Sequence, residues 1–147
     1  MQKHLLSLFL LVSTVLCASQ PEIVVPDNFV IESVKRTIDL TSQIVKVKTE
    51  YQVKNNGKAE VSYFVHAMSE SEAKRLSWMS AVESDKEGAK LRITKVSVKG
   101  SPADFVFHKI ELLNLIESEQ TYSLSVEYSL TQYLVPYPKE ISQTDNQ

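Results

Sequence analysis

Residues 45–53 alternate: Val45, Val47, Thr49, Tyr51 and Val53 are separated by Lys46, Lys48, Glu50 and Gln52. A period of two sends every second side chain to one side of a pleated strand, so this segment predicts a strand with one apolar face. Asn55, Asn56 and Gly57 interrupt the pattern, and Ala59, Val61, Tyr63, Val65 and Ala67 resume it. The two segments together read as a β-hairpin. A two-residue loop at Asn56 and Gly57 would set Val53 opposite Glu60 and mix the faces. A three-residue loop with Gly57 in the left-handed conformation pairs Val53 with Ala59, Tyr51 with Val61 and Val47 with Val65, and puts every apolar residue on one wall. That register is the expected one. It places Phe64 and His66 on the polar side, with His66 across from Lys46.

Other segments carry the same signal. Residues 28–40 are rich in β-branched positions (Val30, Ile31, Val34, Ile38), and Tyr122, Leu124, Val126, Tyr128 and Leu130 alternate with Ser123, Ser125, Glu127 and Ser129. Ser69 and Glu72 have the spacing of a capping box and predict a helical turn. Leu76, Trp78 and Val82 share a two-residue period and predict a strand. In residues 91–99 the apolar phase slips between Ile93 and Val96, as a bulge would make it do. Gly100, Ser101 and Pro102 turn the chain into a further strand at residues 105–110. About seven short strands separated by turn signals predict an all-β fold, an antiparallel β-sandwich.

The first nineteen residues stand apart. Lys3 and His4 precede an apolar run at residues 5–16, and Cys17, Ala18 and Ser19 follow. This is the three-part pattern of a secretory signal peptide, cleaved between Ser19 and Gln20. A run of twelve residues is too short to cross a bilayer core about 30 Å thick as a helix. Residues 1–19 are therefore expected to be a signal peptide and residues 20–147 a lumenal β-domain. Cys17 is the only cysteine, so the processed chain would have neither disulfide nor thiolate chemistry.

Composition narrows the function classes. The chain has 147 residues, 43% hydrophobic and 23% charged, with a formal net charge of −2. It is too apolar for a disordered tail and too evenly charged for a nucleic-acid binder. Its three glycines, Gly57, Gly88 and Gly100, are far apart, which excludes phosphate-cradling loops. Outside the leader the imidazoles are His66 and His108, with His108 expected to point away from Phe105 and Phe107. Neither has a recognisable catalytic partner, and the carboxylates fall in scattered loop clusters. No catalytic constellation, cofactor site or metal site is expected. Phe64 is an oddity on the polar face of the expected hairpin, which marks it as a candidate partner contact.

Two stretches resemble a known family. Val34-Lys35-Arg36-Thr37-Ile38-Asp39-Leu40-Thr41-Ser42, followed by Ile44-Val45-Lys46-Val47, is similar to the start of the mature ribophorin I family. Tyr133-Leu134-Val135-Pro136-Tyr137-Pro138-Lys139-Glu140-Ile141-Ser142-Gln143 resembles that family's Pro-Tyr-Pro segment, and the resemblance covers nearly all of residues 20–147. It implies a non-catalytic accessory subunit of the oligosaccharyltransferase complex of the endoplasmic reticulum. That complex transfers a preassembled glycan from dolichyl diphosphate to asparagine in Asn-x-Ser/Thr of nascent proteins. Other subunits are the implied partners, with the nascent polypeptide as a further one, and the membrane is reached through the complex. Because the family continues well past the position of Gln147, the domain is expected to be incomplete, with an unpaired sheet edge. Phe64, Tyr133 and Tyr137 are the first candidates for subunit contact. The competing expectation is a freestanding secreted β-sandwich that binds a ligand or cell surface.

Overall fold

A computed structural model describes residues 20–26, 28–84 and 88–135. Eight strands occur there: β1 (Glu22–Ile23), β2 (Phe29–Asp39), β3 (Val45–Asn55), β4 (Val61–Ser69), β5 (Leu76–Glu83), β6 (Lys90–Val98), β7 (Phe105–Ile116) and β8 (Thr121–Leu130). One helical turn, α1 (Glu70–Ala73), joins β4 to β5, and Ser69 and Glu72 form the expected capping box at its start. The strands make one sheet in the order β2-β3-β8-β5-β6-β7-β4, antiparallel throughout, with β1 added in parallel to β6.

The sheet curls over on itself, and the all-β, sandwich-like class expected from the sequence holds. The fold line runs between β5 and β6, whose ladder is only two residue pairs long, Ala81 with Leu91 and Val82 with Lys90. On one side lie β2, β3, β8 and β5; on the other lie β6, β7 and β4. Their facing sides form one core containing Val45, Val47, Val53, Leu124, Val126 and Leu130 from the first layer and Phe64, Met68 and Ile110 from the second. The five alternating apolar positions of β8 are all buried, as its pattern predicts.

The expected hairpin does not form. β3 pairs with β2 and β8, while β4 pairs with β7 on the far side of the core. The Asn55 to Val61 connection is a corner between layers. Asn55 is fully buried there, its Nδ2 donating to the carbonyls of Ala59 (2.8 Å) and Ile116 (2.9 Å) while its Oδ1 accepts from the Gly57 N–H (2.9 Å). Its backbone is tied to Gln120 and Glu119 as well. Gly57 is not left-handed; positive φ among the glycines belongs to Gly88 and Gly100. What position 57 requires is space, since a Cβ would stand 2.5 Å from the Asn28 side chain.

Bulges account for the other departures. A register shift between Val61 and Tyr63 reverses the phase of β4, so Phe64, His66 and Met68 face the core. Another between Leu76 and Trp78 turns Trp78 outward and Ala81 inward. In β6, by contrast, the ladder to β7 runs from Arg92 to Val96 without a shift, so the bulge expected between Ile93 and Val96 is not found there.

Candidate functional site

Reversal of the β4 phase carries an imidazole into the core. His66 is 1% exposed, and its Nδ1 lies 3.0 Å from the Tyr51 hydroxyl on the opposite layer. Across the β4–β7 ladder it pairs with His108, which in turn stands opposite Lys95 of β6. The register corrects one placement, since His66 does not face Lys46; His108 does alternate away from Phe105 and Phe107, and it is buried. Burial pushes the His66 pKa down to about 4, with His108 and Arg36 adding in the same direction. His108 is lowered by burial and by Lys95.

Two phenols flank His66, with ring centres 5.9 Å (Tyr51) and 6.0 Å (Tyr128) from its own. Tyr128 donates to Glu72 Oε1 at 3.4 Å, and burial followed by the Glu72 charge pushes its pKa up to about 12. Tyr51 is raised by burial. Arg36, on β2, donates to the buried Thr49 hydroxyl at 3.2 Å. At neutral pH the cluster thus holds neutral imidazoles and neutral phenols. A general acid or base works best with a pKa near the operating pH, and these groups are displaced away from it on both sides. Their evident role is to join the layers through a polar contact inside an apolar core. Among the described residues no three His, Cys, Asp or Glu side chains converge as metal ligands.

The expected contact residues fall in different places. Phe64 is 4% exposed and packs its ring against Phe29 (5.9 Å) and Tyr51 (4.9 Å). It is a core residue linking the two ends of the curled sheet, not a surface contact. Tyr133 is exposed, with the Arg75 guanidinium 5.9 Å from its ring centre. Tyr137 and Ser19 lie outside the described residues, and Gln20 is exposed at their start.

What the outer surface offers is strand β2. It pairs on one side with β3 and, among the described residues, ends the sheet on the other. Ile31, Val34 and Ile38 stand opposite Val53, Tyr51 and Val47, hence on the core-facing side, yet all three are exposed because the second layer does not reach them. The sequence marked these residues as strand but gave no sign that they would be left uncovered. No helix among the described residues is long and apolar enough to cross a membrane.

Fold and site together define a curled all-β module that buries its titratable cluster and turns an apolar strand edge outward. The Ribophorin I family model matches residues 29–147, and the chain belongs to that family. It is 35% identical over 115 residues to dolichyl-diphosphooligosaccharide–protein glycosyltransferase subunit 1 of Caenorhabditis elegans, covering 78% of this chain and 19% of that protein. With subunit 1A of Arabidopsis thaliana it shares 26% identity, across 97% of this chain and 24% of the relative. With subunit 1B of Oryza sativa the figure is 32%, across 82% of this chain and 27% of the relative. The chain thus spans about a fifth to a quarter of the length of these relatives.

Proposed function

We propose that this chain is the lumenal β-module of a non-catalytic oligosaccharyltransferase subunit, positioned in the endoplasmic reticulum by a leader at residues 1–19 cleaved between Ser19 and Gln20. In this reading the complex transfers its preassembled glycan from dolichyl diphosphate to acceptor asparagines through another subunit, and this module holds its neighbours in place. The relatives' names support the complex. The observation that carries the holding role is the uncovered apolar border of β2. Exposed main chain along an edge strand, beside Ile31, Val34 and Ile38, suits pairing with a neighbouring subunit, and residues 133–135 add a second exposed apolar stretch. An extended nascent chain would use the same edge, but a permanent partner better suits an apolar border.

Val34→Lys and Ile38→Lys place charge on this border without touching the core. In cells expressing the tagged full chain, each should reduce recovery of other subunits in mild-detergent purification by about tenfold, the loss of roughly 1.4 kcal/mol of contact, while yield of the chain itself is unchanged. Tyr133→Ala should act in the same direction more weakly. Equal recovery with all three variants would defeat the proposed contact.

A further inference from the structure

Trp78 is the only tryptophan in the chain, and it is 52% exposed. The bulge between Leu76 and Trp78 turns it onto the outer face of the first layer, and bulges commonly re-aim a side chain in this way. The ladders then set its surroundings. Trp78 stands opposite Ser129, Ser129 opposite Lys46, and Lys46 opposite Asp39. In the next row Glu127 lies opposite Lys48. A shallow cavity of about 190 Å³ is lined by these side chains.

The charges on this face cancel. Lys48 pairs with Glu127 (3.7 Å) and Glu50 (3.3 Å), and Asp39 accepts from the hydroxyl (2.6 Å) and N–H (2.9 Å) of Thr41. An anion would meet the acids and a cation the lysines. A quaternary ammonium would need several exposed aromatic walls; of the two aromatic residues lining the cavity, Trp78 is exposed and Tyr128 is buried. What the face presents is one flat apolar ring beside hydroxyl, ammonium and carboxylate groups held in a rigid grid. That combination matches a ligand with an apolar C–H face and a rim of hydroxyls that both donate and accept.

We propose that the outer face of β2, β3, β8 and β5 is a binding site for a neutral oligosaccharide, one pyranose ring stacking on Trp78 while its hydroxyls bond Lys48, Glu127 and Ser129. The site is open, so binding is weak and fast. It stands independently of complex membership.

A single tryptophan makes the test direct. Emission of the full chain is followed while maltotriose, mannotriose or N,N′-diacetylchitobiose is added to millimolar levels, with inorganic phosphate and tetramethylammonium as charged probes. The expected result is a saturable emission change with at least one neutral saccharide, insensitive to added salt, and none with the charged probes. Lys48→Ala and Glu127→Ala should each weaken it about tenfold without moving the thermal midpoint. No saturable response to any saccharide, a response only to a charged probe, or unaltered binding by both folded variants would overturn the site. Saccharide binding by a chain that fails to co-purify with other subunits would defeat the complex assignment and leave this site standing.

Discussion

His66 sits where a two-residue period, read without its bulge, puts solvent. Its ring joins the two layers through Tyr51 and remains neutral because the core disfavours a charge there. Unfolded, it takes up a proton near the ordinary 6.5; folded, it does so only near about 4. Between those values the unfolded chain binds more protons, so the contribution is complete above the upper value and declines as pH falls toward the lower one. His108 is shifted in the same direction and adds to the slope. Denaturant titrations should therefore show stability falling on acidification, with His66 contributing on the order of 2 kcal/mol by about pH 5. A His66→Phe variant should lose about one proton's worth of that slope. An identical pH profile for the variant would mean that His66 titrates normally in the folded chain.

Strands are the scale at which the sequence was most legible. The alternation of residues 45–53 and of Tyr122 through Leu130 predicts buried faces that the structure reproduces, because a strand inside a layered core must send alternate side chains inward. The partner of each strand was not legible. Asn55 and Gly57 look like hairpin residues, and only the carbonyls of Ala59 and Ile116, one of them distant in sequence, reveal that Asn55 is fastening a corner. Phe64 and Trp78 were misplaced for a related reason. In β5 two residues advance against one of β8, and in β4 two advance against five of β7; each break exchanges the faces, and nothing in residue type marks where it falls. Pairing also predicts dynamics. β8 lies between β3 and β5 near the middle of the sheet, whereas β2 has a neighbour on one side only. Amide exchange should be slowest along β8 and β3, and β2 should show fast exchange at alternate residues whose N–H groups have no ladder partner. Uniform protection of β2 at the level of β8 would show that its outer edge is already occupied.

At the scale of the molecule, the curl leaves the two ends of the sheet in contact through Phe29 and Phe64 without a ladder between them, so among the described residues β2 has a free edge and an uncovered apolar border. The family resemblance was readable from two short stretches and is supported by the match over residues 29–147. The surfaces that would carry its work were not, because both depend on register: Ile31, Val34 and Ile38 are exposed by the reach of the opposite layer, and Trp78 by a bulge. The subunit contact proposed for β2 is read by photo-crosslinking from a benzophenone side chain at position 34 or 38 of the full chain, in native membranes. Adducts with one defined oligosaccharyltransferase subunit, absent when the probe is moved to the exposed Lys95 on the other layer, are the expected result. A chain recovered without adducts from either β2 position, or labelled equally from position 95, would contradict it.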